Sequence, residues 1–453
     1  MIRPPSDLPT AFSRNLASCF AELSRGAAKH LTAYAKSDAR FDCMYRGFGR
    51  YSSGRRLTFP LLTVSLAQAL TAMEHGNFSM RAPDILAKLV GFQSVVGTTN
   101  ADIVGWIAAY LKSFDVTVDI MAGPEGDRWN LFATIGPREK RGYVLSGHMD
   151  VVPANETGWT SDPFVMRVDG ERLYGRGTSD MKGFLAACLA AVPMLVAKPL
   201  ICPIHLAFSY DEEAGCRGVP HLIARLPELC AKPLGVIVGE PSNMRAILAH
   251  KGKAAARVTL KGRSGHSSRP DLGLNAIHAA TEVLQCAVST AHALAEGPLE
   301  KQFEPPYSSI SVGTIHGGRA VNIIPDACTL EIEARAISSA DPAALLSPVR
   351  EAAVALQQRG FEIKWEELSA YPALSLPRTA PLAGLLAGLT GVEPLPAVSY
   401  GTEAGLYQRA GQEAIICGPG DIDRAHKPDE FILMEELTAC QAMIEALGQH
   451  CLA

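Results

Sequence analysis

Apolar residues recur at helical and strand spacings in turn along most of the chain. Positions three and four residues apart predict a helix from Pro83 or Asp84 and a second helix over 103–111. The segment after Gly183 is apolar nearly all round, which predicts a deeply buried helix. Short apolar runs predict strands at about 129–135, 142–147, 203–209 and 234–238. Strands that alternate with helices indicate a sheet covered by helices.

The pattern changes near residue 250 and changes back after Pro372. In between, the sequence predicts strands at 254–260, 309–316, 327–334 and 361–367, with helices at about 274–294 and 341–359. We therefore expect an α/β protein whose main, mixed-sheet domain is interrupted by a smaller α+β domain. The predicted boundaries are 1–80 for an N-terminal extension, 81–248 and 370–453 for the main domain, and 249–369 for the insert.

Composition narrows the class of protein. The chain has 453 residues, 47% hydrophobic and 19% charged, and a net charge of −4. This balance predicts a globular protein and excludes the broad basic surface that nucleic acid or an anionic membrane would need. No apolar run reaches the roughly 18 to 20 residues of a membrane helix. Eleven cysteines without a CxxC pair indicate buried thiols in a reducing compartment, so we expect a cytoplasmic protein.

Residues 1–80 lack the periodicity of the later sequence. The run 57–73 is similar to a signal segment, but its basic start lies some fifty residues into the chain and Gln68 interrupts it. We expect the extension to be dispensable for catalysis.

Polar side chains with ligand chemistry lie near the ends of the predicted strands. Such strand ends are where open α/β sheets build their sites. The residues are His148 and Asp150 in GHMD, Asp180 in GRGTSDMKG, Asp211, Glu212 and Glu213 in SYDEE, Glu240 in GEP, and His426 in RAHK. Each cluster alone also fits a plainer explanation, such as a hydrogen-bonded histidine, a helix cap or a solvated acidic turn. Together, these N and O donors suit zinc or a similar divalent ion.

Two other interpretations of the glycine-rich segments fit the sequence less well. A dinucleotide loop would need a third glycine where Asp180 stands, and a carboxylate would repel the phosphate. The segment 262–266, GRSGH, resembles a nucleophile elbow but has His266 in place of the last glycine, and it lies in the insert.

Nine motifs in order resemble one family over about residues 81–450. They are GHMDVVP, GRGTSDMKG, SYDEEAGCRG, GEPS, AHKGK, GHSS, GGRAVNIIP, YGTEAGLY and AHKPDE. They resemble the metallopeptidase-like amidohydrolases, a family that includes acetylornithine deacetylase, succinyl-diaminopimelate desuccinylase, aminoacylase and the glutamate carboxypeptidases. The resemblance implies a di-zinc catalytic main domain, with Co²⁺ as a possible substitute. It also implies that the insert is a ferredoxin-like lid and dimerisation domain.

The resemblance also implies a role for each matching residue. His148 and Glu240 would hold one metal ion, Glu213 and His426 the other, and Asp180 would bridge both. Asp150 would support His148, and Glu212 would be the general base. His266 would reach the active site of a partner subunit in a homodimer and stabilise the oxyanion. Asn322 and Arg335 would contact the carboxylate of the substrate.

The expected substrate is a small N-acyl amino acid. The segments AHKGK, GHSS and GTEAG resemble those of acetylornithine deacetylase, which implies deacetylation of N²-acetyl-L-ornithine in arginine biosynthesis. Glu403 would face the ornithine ammonium group or would only order its loop. The alternatives are a succinyl-diaminopimelate desuccinylase, a broad aminoacylase, or a non-catalytic homologue that binds an acylated ligand. All the metal ligands and the base are present, which disfavours the last.

Overall fold

A computed structural model describes residues 80–452 of the chain. The predicted 1–80 extension therefore lies outside the described residues, apart from Met80 itself. The first part of the described chain alternates helices and strands. Its elements are α1 (Ala82–Val90), α2 (Ala101–Lys112), β1 (Thr117–Ala122), β2 (Trp129–Ile135), β3 (Tyr143–His148), β4 (Arg167–Asp169), β5 (Arg172–Tyr174), α3 (Gly183–Val196), β6 (Ile204–Ser209), α4 (Val219–Leu229) and β7 (Gly235–Pro241).

The middle of the chain forms a second group of elements. They are β8 (Ala249–His250), β9 (Gly252–Lys261), β10 (Gly265–His266), α5 (Ala276–Ala295), β11 (Ser309–Gly317), β12 (Ile323–Ile324), β13 (Ala327–Ala336), α6 (Pro342–Leu345), α7 (Ser347–Ala355) and β14 (Glu362–Tyr371). The chain then continues through β15 (Leu374–Ser375), α8 (Pro381–Thr390), α9 (Ala404–Arg409), β16 (Ala414–Gly418), β17 (Phe431–Leu433) and α10 (Met434–His450).

The main sheet has six strands in the order β1-β2-β6-β3-β7-β16. Strands β6, β3, β7 and β16 run parallel, whereas β1 and β2 are antiparallel to their neighbours. Strands β3, β6 and β7 are buried along their whole length because helices cover both faces of the sheet. The predicted α/β class with a mixed sheet is confirmed. Because β16 comes from the last part of the chain, the sheet joins residues from both sides of the insert.

Helix α3 is the centre of the main core. Eleven of its fourteen residues are buried, and it packs against α1 and α10. The stretch Thr178–Val196 is the one segment among the described residues that is long and apolar enough to cross a membrane, and 83% of it is buried inside the protein. Burial in a core explains the all-round apolar character of this helix.

The insert contains a separate four-stranded sheet, β11-β13-β9-β14. All its strand pairs are antiparallel, and α5 and α7 pack on one face through their own apolar cluster. Strands β9 and β13 alternate buried and partly exposed residues, as expected for a sheet with one covered face. The order of strands and helices, βαββαβ, is ferredoxin-like. The domain boundaries themselves stay a prediction.

Two differences from the sequence prediction have a clear physical reason. The predicted helix over 341–359 is divided into α6, α7 and a 3₁₀ turn, Leu356–Arg359. Pro348 lies in the first turn of α7, where its missing N–H is tolerated, so a new helix begins there. Strand β1 was not predicted because it lies at the edge of the sheet and buries only Met121 among its residues.

The close packing of β7 on α3 gives a prediction for stability. A Cβ at Gly239 would overlap the ring of the fully buried Phe184. We expect Gly239→Ala to lower the free energy of unfolding by about 1–3 kcal/mol, the usual cost of overpacking. Gly384 in α8 is the control, since a Cβ there meets nothing within 4 Å. Gly384→Ala should stabilise the helix by about 1 kcal/mol. Urea unfolding of both variants checks this, and equal shifts would contradict it.

Candidate metal centre

The site lies at one edge of the main sheet, where parallel strands end. Strand β3 ends at His148, β6 is followed by the Asp211–Glu213 turn, and Glu240 is the second last residue of β7. Parallel neighbours bring their carboxyl ends to the same edge, so these side chains lie together. Asp180 and His426 reach the same place from two loops, one before α3 and one after β16.

The first group of donors is His148, Asp180 and Glu240. His148 Nε2 lies 3.0 Å from Asp180 Oδ1 and 3.9 Å from Glu240 Oε1. All three residues are buried. One ligand atom from each lies within 4.8 Å of the ligand atoms of the other two, which is close enough for all three to bind a single metal ion.

The second group is Asp180, Glu213 and His426. His426 Nε2 lies 3.0 Å from Glu213 Oε1 and 3.3 Å from Asp180 Oδ2. Asp180 is thus common to both groups, with one carboxylate oxygen directed to each. A carboxylate in that position is what two neighbouring metal ions need as a bridge.

Asp150 supports this arrangement in a way that differs from the expectation. The ring Nδ1 of His148 hydrogen-bonds the main-chain carbonyl of Asp150 at 2.9 Å, whereas the Asp150 carboxylate is 3.7 Å away. That carboxylate instead accepts the backbone N–H groups of Glu212 and Glu213, each at 3.1 Å. The carbonyl of Asp150 therefore holds Nδ1 of His148, so that Nε2 can bind a metal ion. The side chain of Asp150 positions the acidic turn.

Glu212 lines the same cavity but belongs to neither group of donors. Its Oε1 accepts a hydrogen bond from the thiol of Cys216 at 3.2 Å. Burial, together with the negative charges of Glu213, Asp180 and Asp150, raises the pKa of Glu212 to about 8. A carboxylate beside a metal centre, with a pKa near neutrality, can take and return a proton.

The ionisation of the other groups reflects crowded negative charge. Burial and the charge of Asp180 raise the pKa of Glu213 to about 7 and that of Glu240 well above its ordinary value. Hydrogen bonds to Asp180 and Glu213 raise the pKa of His426 to about 10. Without a cation, Glu213 and Glu240 therefore bind a proton more readily than ordinary carboxylates do. The donor set, its geometry and its charge therefore fit divalent metal ions.

The opposite wall of the cavity carries positive charge. The cavity has a volume of about 210 Å³, and Lys253, Arg335 and Tyr371 line it together with the metal donors. These three residues stand side by side on β9, β13 and β14, since Lys253 pairs with both of the others. Glu333 lies between the two cations, 2.6 Å from Arg335 Nε and 3.3 Å from Lys253 Nζ. The placement of Arg335 in the cavity suits the predicted contact with a substrate carboxylate.

Glu403 is placed differently from the prediction that it faces the substrate. It is 1% exposed and does not line the cavity. Its two carboxylate oxygens accept hydrogen bonds from Ser146 at 2.5 Å and Ser209 at 2.8 Å. Because both oxygens are satisfied inside the protein, Glu403 orders the sheet and its loop instead of contacting a ligand.

His266 and Asn322 lie together on the insert, and neither lines the cavity. Both are exposed, His266 pairs with Ile323, and Asn322 accepts a hydrogen bond from the N–H of Ser267 through its carbonyl. The role of His266 in a partner subunit and the contact of Asn322 with substrate stay predictions.

Several residues of the site were not predicted from the sequence. Lys253, Tyr371 and Tyr400 line the cavity, and Cys216 contacts Glu212. Lys253 belongs to the AHKGK motif, so its charge was visible. Its direction was not, because that depends on the register of β9 with β13 and β14.

Comparison with known proteins places this geometry in a family. Residues 144–450 match the model of Peptidase family M20/M25/M40. The acetylornithine deacetylase of Photorhabdus laumondii subsp. laumondii is 32% identical over 376 residues, which are 81% of this chain and 96% of that protein. The acetylornithine deacetylase of Myxococcus xanthus has the same identity and coverage.

Solved structures share the fold. An M20 family metallo-carboxypeptidase from Sulfolobus solfataricus has a TM-score of 0.69 at 18% identity, covering 82% of this chain and 99% of that one. A dinuclear metal-binding peptidase of the M20 family from Bacillus subtilis has a TM-score of 0.57 at 16% identity, covering 82% and 98%. At these identities, the likeness supports the fold alone.

The raised pKa values predict proton release on metal binding. At pH 7 the metal-free site holds a proton on His426, whose pKa is about 10, and part of a proton on Glu213, whose pKa is about 7, but a metal ion needs its ligands deprotonated. Zinc titrations by calorimetry at pH 7, in two buffers of different ionisation enthalpy, should give different heats. Identical heats would mean that no protons leave and would contradict this electrostatic description.

Proposed function

Because this chain belongs to Peptidase family M20/M25/M40, we propose that it is a two-zinc amidohydrolase that converts N²-acetyl-L-ornithine into L-ornithine and acetate. As a member of that family it is a metal-dependent hydrolase acting on amide bonds. The main support for the proposal is that two groups of donors share Asp180. Glu212 lines the same cavity and belongs to neither group. Zinc suits the mixed N and O donors, and Co²⁺ would be accepted by the same set.

Each residue of the site has its own role in the proposed reaction. Two bound metal ions would supply a water molecule of lowered pKa and would polarise the scissile carbonyl. Glu212 takes a proton from the water molecule as the water oxygen bonds to the acyl carbon. Glu212 then returns that proton to the amine nitrogen as the C–N bond breaks, which gives acetate and the free amino acid. Arg335, with Lys253 beside it, holds the α-carboxylate of the substrate against the wall of the insert.

The relatives support acetylornithine as the substrate, and the place of the reaction would be arginine biosynthesis in the cytoplasm. The nine cysteines among the described residues are all free thiols, which suits a reducing compartment. A second candidate is the hydrolysis of an N-succinyl amino acid. Lys253 favours it, because a succinyl group carries an added carboxylate that would need a second cation near Arg335.

A homodimer would complete the site. The sheet of the insert leaves β11 as an edge strand, on which Ile315 is 47% exposed, and Val321 on the neighbouring loop is fully exposed. Edge strands with exposed apolar side chains are surfaces on which two copies can associate. His266 of the partner subunit would then stabilise the oxyanion that forms at the acyl carbon.

Replacing the proposed base should separate catalysis from metal binding. We expect Glu212→Gln to keep two metal ions per chain and to lower kcat by about 10²–10⁴-fold, the typical value for losing a general base. Glu213→Gln is the contrasting variant, since it removes a donor from the second group and should lower metal content. Metal analysis and steady-state kinetics on both proteins check this. Near-normal turnover by Glu212→Gln would remove Glu212 from the role of base.

A substrate panel tests the choice of acyl amino acid. We expect kcat/KM for N²-acetyl-L-ornithine to exceed that for N-succinyl-diaminopimelate and N-acetylmethionine, with zinc or cobalt supplied. This expectation rests on the acetylornithine deacetylases that are 32% identical to this chain. A higher value for the succinyl substrate would select the second candidate, and the two-metal assignment would stand.

Mixing two inactive variants tests the shared site. In a homodimer whose sites each need Glu212 of one chain and His266 of the other, Glu212→Gln and His266→Ala should each be inactive. Co-expressed, they should recover about a quarter of the parent activity, because half the dimers are mixed and one site in each mixed dimer is intact. A monomer in solution, or a fully active His266→Ala protein, would rule out this arrangement.

A further inference from the structure

Glu430 is a buried carboxylate that the proposed reaction does not use. It is 1% exposed and lies between His426 and β17, in the AHKPDE segment. Its side chain leaves the His426 loop and enters the loop that carries Asp180. One oxygen, Oε1, accepts the backbone N–H groups of Ser179 at 2.9 Å and Asp180 at 3.1 Å. The other, Oε2, accepts that of Gly177 at 2.9 Å.

The Asp180 loop has little regular structure of its own to hold it. Residues Thr178–Lys182 form a single π-helical turn, and Asp180 and Met181 within it have non-helical backbone angles. Gly177 before them has a φ of +80°, the left-handed region. Three N–H groups of this loop converge on one carboxylate, as they would on a bound anion. Glu430 therefore replaces the hydrogen bonds that a regular helix would have supplied to Asp180.

Arg176 balances the charge of Glu430 and connects further loops. Its guanidinium Nη1 lies 3.0 Å from Glu430 Oε2, and it also forms an ion pair with Glu156. The same group donates to the carbonyls of Pro153 and Lys427, each at 3.3 Å. Arg176 is 1% exposed, so the pair with Glu430 has little water to weaken it.

These contacts connect Glu430 to the loop of the residue that both metal ions would share. Asp180 is the residue common to both donor groups, and His426 lies four residues before Glu430 in the chain. We propose that Glu430 is a positioning residue that fixes Asp180 between the two donor groups and so sets the affinity of the protein for both metal ions. The inference rests on the proposed two-metal function and names a residue outside the ligand set. Supporting hydrogen bonds of this kind commonly change metal affinity by about 10–100-fold.

The test measures zinc affinity in the full-length protein after Glu430→Gln. An amide keeps the size of the side chain but places an NH₂ group where one oxygen accepted hydrogen bonds, and it removes the charge that balances Arg176. The control is Glu436→Gln. Glu436 pairs with Arg424 beside the same His426 loop, 2.8 Å apart, and its hydrogen bonds go to Arg424 and to the N–H of Leu433, not to the Asp180 loop. Equilibrium competition with a chelator gives the two binding constants of each protein, and circular dichroism shows that each metal-free protein is folded.

We expect Glu430→Gln to weaken both binding steps by about 10–100-fold. We expect Glu436→Gln to bind like the parent. If only one step weakens, or if folded Glu430→Gln binds zinc like the parent, the inference fails. A parent protein that binds fewer than two zinc ions would count against the proposed function itself. If metal-free Glu430→Gln does not fold, Glu430→Asp carries the same test, because its shorter side chain keeps the charge but cannot reach all three N–H groups.

Discussion

The carboxylates at the end of the main sheet repel one another, and the site depends on how that repulsion is balanced. Asp180, Glu213 and Glu240 lie in a buried cavity with Glu212, where water screens little charge. Burial and mutual repulsion raise the pKa of Glu212 to about 8 and that of Glu213 to about 7. Two divalent ions would neutralise this charge. Glu212 lines the same cavity without being a ligand, so its carboxylate stays free to act as a base.

The scaffold around the site is built to hold Asp180. Strands β3, β6 and β7 bring their donors to one edge because they run parallel, but Asp180 comes from an irregular turn ahead of α3. Its position therefore depends on residues from distant parts of the chain, such as Glu430. The buried helix α3 supports the turn from the other side, packed among α1 and α10.

Much of the fold and of the candidate site could be predicted from the sequence because two simple rules apply. Apolar runs marked the central strands to within a few residues, as for β2 at 129–135. Parallel strands then bring the polar residues at their ends together, so the donors could be listed as a set. Contacts that depend on tertiary packing could not be predicted in this way. Glu403 lies in a motif that suggested substrate contact, but Ser146 on β3 and Ser209 on β6 donate hydrogen bonds to its two oxygens. Lys253 faces the cavity only because of the register of β9.

The proposed two-metal site requires that two metal ions share Asp180. A crystal structure of the zinc-loaded protein, with anomalous scattering recorded at the zinc edge, measures this directly. We expect two zinc peaks about 3.5–4 Å apart, the spacing of two-metal sites, with one Asp180 oxygen bound to each. One peak should also contact His148 and Glu240, and the other Glu213 and His426. A single peak, or two peaks of which only one contacts Asp180, would contradict it.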